Sequence, residues 1–355
     1  MAAFILIFME QDKEKFPSEL RLDLVSKDWV VIATGRGKRP EMFKNTREEV
    51  KSEIKKENCP FCNIDPGIKA SAAFLDGKEI DLSQSGYAIP QKWTTLVIPN
   101  KFPAFIPAEK LEERTEGGLY LRINAVGYHD LVLTKDHGIS LANLPQEKVK
   151  EVFDAYQARY LQLKKFSHVN YVSIFHNHGP SAGASQPHPH SQIITSPLID
   201  VDLENALSIG KKYYEENKKC LYCEMTEWEL KTRERIVFEN DHFLALCPFA
   251  SKSAFQVIVT PKAHKAYFEE ITEEEKEALA EAFKAVLFKI YKGLNNPDYN
   301  FYLHTSPCSG EDYDFYHWHW TIMPKTSVWA GFEIGSRMEI STIEPEKAAE
   351  YLRQQ

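Results

Sequence analysis

One string of residues occurs twice in this chain, and no other feature restricts its fold as tightly. The first copy runs from Cys59-x-x-Cys62 through extended stretches at 93–99 and 128–133 to Asp136-His137-Gly138, a helix and a histidine-rich strand near His188. The second repeats the order with Cys220-x-x-Cys223, stretches at 235–238 and 255–260, Lys262-Ala263-His264, a long helix and a histidine-rich strand near His317. His137 to His188 is an interval of 51 residues, and His264 to His317 is one of 53. Matching order and matching spacing indicate an internal duplication. Strand, strand, helix, strand, twice over, predicts an α+β protein on an antiparallel sheet, with one half at 1–195 and the other at 196–355. Segments 63–88 and 196–215 are expected to be connections or excursions.

The helices carry their own signals. Thr272 with Glu275 is a capping box, after which Leu279, Phe283, Val286, Leu287 and Ile290 form one apolar stripe up to Gly293. Val149, Val152, Phe153, Tyr156, Tyr160 and Leu163 form the equivalent stripe in the first half. Both are expected to be scaffold facing the core.

Charge and cysteine usage narrow the function. A net charge of −8 argues against a nucleic-acid polymer as partner, since phosphate backbones select basic faces. The longest apolar run, residues 4–8, is too short to span a membrane and lacks the flanks of a signal peptide, so a cytoplasmic protein without a membrane partner is expected. Four of the six cysteines form the two CxxC pairs, while Cys247 and Cys308 stand alone. Without a secretion signal, such pairs read as metal ligands ahead of redox or packing roles.

The most informative stretch is 176–194. It opens with a Gly/Ser/Ala loop, 179–185, whose small residues let backbone amides approach an anion. If 186–194 is extended, Gln186, His188, His190 and Gln192 share one face. Pro187 and Pro189 exclude a helix there, and their missing N–H groups fit a sheet edge or an open rim where a ligand sits. A neutral imidazole attacks phosphorus well and leaves readily, which splits a hard transfer between two anions into two easier ones. His190 is therefore the candidate nucleophile, with Gln192 and loop amides donating to the phosphoryl oxygens. Cys59, Cys62, His137 and His188 make a closed Cys2His2 set of the structural zinc type, and Cys220, Cys223, His264 and His317 offer a second. His319 corresponds to His190 in the repeat but lies between Trp318 and Trp320 without a small-residue loop, so packing is expected of it; His304 is a possible metal or phosphate neighbour.

With these residues the chain resembles the galactose-1-phosphate uridylyltransferase family, a duplicated branch of the histidine-triad superfamily. The resemblance spans nearly the whole chain: Arg21-Leu22-Asp23, Asp28-Trp29-Val30-Val31-Ile32-Ala33, Arg36-Gly37-Lys38-Arg39-Pro40, Cys59-Pro60-Phe61-Cys62, Asn100-Lys101-Phe102-Pro103, Asp136-His137, the loop with His188-Pro189-His190-Ser191-Gln192, and Gly331-Phe332-Glu333. It implies a duplicated histidine-triad-like fold, an antiparallel half-barrel with helices packed on it, and a homodimer. It implies His190 as the uridylylated nucleophile and Gln192 as its phosphate partner. Arg36 and Arg39 would meet substrate phosphates, although a solvated turn is their plain alternative. Asn100 and Phe102 would belong to the base and ribose pocket; Asn177, Gly183 and Ser185 would line the diphosphate; Glu333 would bind hexose hydroxyls. The second CxxC resembles the two-zinc branch, which includes a plant ADP-glucose phosphorylase. Ser327 stands where the bacterial hexose pocket has lysine.

The expected reaction is ping-pong transfer of UMP from UDP-glucose to galactose 1-phosphate through uridylyl-His190. The partners are a nucleotide sugar and a sugar 1-phosphate. An ADP-glucose phosphorylase or adenylyltransferase is the near alternative, and a non-catalytic zinc-stabilised nucleotide-binding module the distant one.

Overall fold

The computed structural model describes residues 18–33, 39–45 and 55–355. The apolar run at 4–8 and Arg36 lie outside them. In chain order the first half carries β1 (Glu19–Leu22), β2 (Trp29–Ile32), β3 (Ala72–Leu75), β4 (Lys78–Glu79), β5 (Thr95–Pro99), β6 (Glu113–Glu116), β7 (Tyr120–Ile123), β8 (His129–Thr134), α1 (Gln146–Leu163), β9 (Tyr171–His178) and β10 (His190–Ser196). The second carries α2 (Val201–Asn217), α3 (Leu221–Thr232), β11 (Ile236–Glu239), β12 (Phe243–Leu246), β13 (Val257–Pro261), α4 (Glu273–Gly293), β14 (Tyr299–His304), β15 (His319–Pro324), α5 (Gly331–Ser336), β16 (Ile340–Ser341) and α6 (Pro345–Arg353).

Eleven strands form one sheet in the order β11-β12-β13-β15-β14-β9-β10-β8-β5-β3-β4, every pairing antiparallel. The order β12-β13-β15-β14 on one side mirrors β5-β8-β10-β9 on the other, so the duplicated string builds two equivalent four-stranded units. They join edge to edge where β9 pairs with β14, Asn177 opposite Asn300. The α+β architecture expected from the repeat is thus present. A smaller sheet, β1-β2-β16, and a ribbon, β6-β7, complete the strands.

Both stripe helices cover the same side of the sheet. Every stripe residue of α1 and α4 is buried, and the Thr272–Glu275 capping box is formed. The stripes meet where Phe153 packs edge-on against Phe283 with ring centroids 5.0 Å apart. Trp320 sits beneath, touching Phe153, Tyr156, Phe268, Phe283 and Phe301. Period 2 along β10 sends Ser191, Ile193 and Thr195 to this helix side, where the Ser191 and Tyr156 hydroxyls lie 2.5 Å apart. His190 and Gln192 are left on the face without α1 and α4.

Two expectations need correction. Neither segment is a bare connection: 63–88 carries β3 and β4 of the main sheet, and most of 196–215 is α2, whose Asp200 side chain caps the helix by accepting from the Leu203 N–H at 3.0 Å. The histidine strand also starts later than 186, and of the two settings expected for its prolines the sheet edge is not the one found. Pro187 and Pro189 have no N–H to place in a ladder, so pairing begins at His190, and β10 lies in the interior between β9 and β8.

Candidate active site and metal centres

Gln186 and His188 therefore lie before the paired strand. His188 precedes the strand and turns its ring to the first CxxC. Its Nε2 lies 2.8 Å from the Thr134 carbonyl, an acceptor only, so Nε2 carries the proton and Nδ1 a bare lone pair. That lone pair is 3.5 Å from Cys59 Sγ, 3.5 Å from Cys62 Sγ and 3.3 Å from His137 Nδ1, while Cys62 Sγ is 3.2 Å from His137 Nδ1. A tetrahedral ion with ordinary metal–sulfur and metal–nitrogen bonds separates S from N by about 3.6 Å and N from N by about 3.3 Å. The four donors fit such an ion.

The second cluster repeats this chemistry. His317 Nε2–H donates to the Pro261 carbonyl at 3.0 Å and His264 Nε2–H to the Asp314 carbonyl at 2.6 Å. Both Nδ1 atoms then face Cys223 Sγ, at 3.5 and 3.3 Å. In each set the four donor atoms lie within 4.8 Å of one another. Both sets named from the sequence are brought together, and each can hold a metal ion.

His190 is placed by the residue before its own proline. Its Nδ1–H donates to the His188 carbonyl at 3.0 Å, so Nε2 holds the free lone pair. The ring is buried, 7% exposed, and burial lowers its pKa, which keeps it neutral. Phe61, inside the first CxxC, packs edge-on against His190 at 4.9 Å and His188 at 5.8 Å. A neutral, oriented imidazole thus sits two residues from a member of the first Cys2His2 set. His319 holds the same local geometry, its Nδ1 3.2 Å from the His317 carbonyl. There, however, His304 stacks on the ring at 4.7 Å and Tyr222 of α3 lies 5.2 Å away.

The cradle loop follows β9. Gly179 (φ 82°) and Gly183 (φ 86°) flank a single 3-10 turn, Pro180–Ala182. Gly183 and Ser185 are exposed, and Gln186 keeps a buried Oε1 with no hydrogen-bond partner. The Asp298 side chain accepts the Ser181 N–H at 2.7 Å, and a Cβ on Gly179 would stand 2.0 Å from the same carboxylate. Gly179→Ala is therefore expected to cost about 1–3 kcal/mol from backbone strain, with the clash added, and to disorder the cradle. Denaturant melts and the transfer rate should both fall; an unchanged rate would mean the loop is not used.

Other expected residues fall on both sides. Asn100 lies against the site: its Oδ1 accepts the Phe102 N–H at 3.0 Å, and its Nδ2 is 3.1 Å from His129 Nε2. Phe102 leaves its ring 81% exposed. Arg39 is exposed at the start of the 3-10 turn Pro40–Phe43, followed by Asn45, which bonds Leu294 and Asn296 next to the cradle's anchor. Glu333 is on α5, where Oε2 accepts the Ala330 N–H at 3.0 Å; among the described residues no contact joins it to His190. Two residues of the site were not singled out from the sequence, His129 and Asn300. Their partners come from other strands, so only sheet register reveals them.

Residues 8–199 match the galactose-1-phosphate uridyl transferase N-terminal domain, and residues 206–354 match its C-terminal domain. The chain belongs to the galactose-1-phosphate uridyl transferase family. Within reach of this family membership, it is 32% identical to an ADP-glucose phosphorylase of Arabidopsis thaliana over 95% of this chain and 92% of that one. It is 28% identical to a galactose-1-phosphate uridylyltransferase of Thermotoga maritima over 95% of this chain and 98% of that one. Among solved structures, an Arabidopsis thaliana ADP-glucose phosphorylase with bound ADP-glucose superposes with a TM-score of 0.75 at 28% identity, covering 95% and 99% of the two chains. Among the described residues, no helix is long and apolar enough to cross a membrane.

Proposed function

We propose that this protein transfers a nucleoside monophosphate from a nucleoside diphosphate hexose to an anionic acceptor through a covalent nucleotidyl-His190. The observation that carries the reading is the His190 ring, neutral, with Nδ1–H held on the His188 carbonyl and its lone pair on Nε2, on a strand whose neighbour β9 leads into the glycine-containing loop. Nε2 donates its lone pair to the α-phosphorus, and the bond to the leaving sugar phosphate oxygen breaks with its electron pair. The N–P bonded imidazole keeps its Nδ1–H and so becomes positively charged, a state favoured by the His188 carbonyl dipole. An acceptor oxygen then forms a new P–O bond, and Nε2 recovers its lone pair. No proton leaves the ring in either half.

We infer zinc in both Cys2His2 clusters, because two thiolates and two neutral imidazoles in a closed tetrahedron suit that ion and leave no open position. Bound there, it would hold residue 188 and so the carbonyl that orients His190. Arg36, Arg39, Asn177, Gly183 and Ser185 would receive the phosphates, Asn100 and Phe102 the base and ribose.

With UDP-glucose and galactose 1-phosphate this is the uridylyl exchange expected from the sequence. A second reading, ADP-glucose cleaved by inorganic phosphate to ADP and glucose 1-phosphate, is favoured by the 32% identity to the Arabidopsis phosphorylase and by Ser327 in place of lysine. The protein should be incubated separately with UDP-glucose and ADP-glucose labelled at the α-phosphorus, then chased with galactose 1-phosphate or phosphate. An acid-labile, base-stable label on the protein is expected from one donor, and the acceptor that removes it selects the reaction. Absence of label from both donors would sink the nucleotidyl-histidine reading.

A further inference from the structure

An amide beside a phosphoryl group helps only if its NH2 end faces the anion, because its oxygen would repel it. Two amides lie on the open face here, Gln192 on β10 and Asn177 on β9. Each has its oxygen taken by a neighbour. The His129 Nδ1 accepts the backbone N–H of Ala104 at 3.1 Å, so that nitrogen is bare. In a neutral ring the proton is then on Nε2, and the atom 2.8 Å from it is Gln192 Oε1, the only end of that amide able to accept. The Asn100 Nδ2 near the same Nε2 is itself a donor and makes no bond to it. On the other side of His190, the Asn300 Nδ2 donates to the Ala182 carbonyl at 2.8 Å, which identifies that atom as nitrogen. The same Nδ2 meets Asn177 Oδ1 at 2.8 Å, which must therefore be the oxygen end. Asn177 Nδ2 is left facing the cradle, 3.9 Å from where a Cβ of Gly183 would stand.

We propose that His129 and Asn300 are positioning residues: they hold the Gln192 and Asn177 amides with both NH2 groups turned to the phosphoryl group, and Asn300 brings the second half of the chain to the first half's reaction centre. The inference rests on the nucleotidyl-transfer reading. His129 reaches Gln192 across β8 and β10, whose register sets Ile194 opposite His129 and Leu131 opposite Gln192. Asn300 reaches Asn177 because β14 pairs with β9 at that very rung. Free to rotate, each amide would spend much of its time with oxygen toward the anion, and developing charge would lose donors worth about 10²–10³ in rate apiece when absent altogether.

The test is a double-mutant cycle read by single-turnover labelling of the full-length, metal-loaded protein with whichever α-labelled nucleotide sugar labels the wild type. His129→Phe keeps the ring volume and is expected to slow labelling about 10- to 100-fold. Gln192→Ala is expected to slow it at least as much, and the double variant should be no slower than Gln192→Ala within about twofold, since His129 acts through Gln192. Asn300→Asp is isosteric but accepts where Asn300 donates; it should turn the Asn177 amide around and slow labelling by a similar factor. Gln192→Glu, which still accepts from His129 but offers no NH2, should be slower than Gln192→Ala, and this variant needs no change at His129. Full additivity of His129→Phe with Gln192→Ala, wild-type labelling in His129→Phe, or Gln192→Glu faster than Gln192→Ala would each overturn the proposal. A wild-type protein that takes no label would instead remove the transfer reading beneath it.

Discussion

Replacing His190 with alanine or glycine is expected to abolish covalent labelling by nucleotide sugar and to lower turnover on the order of 10⁴-fold or more. A nucleophile cannot be replaced by its neighbours when it forms the bond, and losses of this size are usual when one is removed. The fold should survive the change. His190 contributes one hydrogen bond to a backbone carbonyl and one edge contact to Phe61, on the face that α1 and α4 do not cover. His319, the equivalent ring of the second half, should not substitute, because His304 stacks on it and Tyr222 packs against it. Thermal melting, label incorporation and turnover on the same preparation decide the matter. Label retained by His190→Gly at the wild-type level would place the covalent nucleotide on another residue.

Removing metal should have the next largest effect, and it should divide between the two clusters. A Cys2His2 set without its ion leaves two bare Nδ1 lone pairs and two thiols crowded within 4.8 Å. Apparent binding energies for structural zinc are about 10–16 kcal/mol, comparable with the whole stability of a domain. Chelation is therefore expected to lower the melting temperature by tens of degrees. Cys62 borders two surface hollows of about 370 and 320 Å³ lined in part by Lys135, which gives a chelator access to the first cluster. Cys59→Ser should reduce the metal content from two ions to one and stop labelling, because His188 would no longer hold its carbonyl on His190. Cys223→Ser should also remove one ion and reduce stability, yet its folded fraction should label at close to the wild-type rate. The second cluster orients His319, not His190. Metal analysis by mass spectrometry with labelling of both variants distinguishes them; equal loss of labelling would show that the second site also supports the reaction centre.

Much of this site was legible because its elements are local or repeated. Two CxxC pairs and matching histidine intervals gave both ligand sets, and each set closes in the structure. The x-His-Pro-His stretch drew attention to His190, whose ring is oriented by a carbonyl only two residues away. The same stretch misled about its strand. Alternation was read through two prolines, but a ladder needs N–H groups that proline lacks, so the pairing starts after them. Segment 196–215 hid its helix behind polar residues; only a narrow set, Leu203, Ala206, Leu207 and Gly210, is buried. His129 in an apolar strand and Asn300 in a tyrosine-rich one carried no local sign at all.

The amino-acid order alone determined the duplication, helices α1 and α4 and the two Cys2His2 sets, because periodicity, capping and thiol–imidazole chemistry act between residues near in sequence or repeated along it. Tertiary structure alone decided that the two units share one eleven-stranded sheet, that β10 is interior, and which way two amides face. Those outcomes depend on strand register, and register relates segments far apart in sequence, as Asn177 and Asn300 are at 123 residues, which no local pattern encodes.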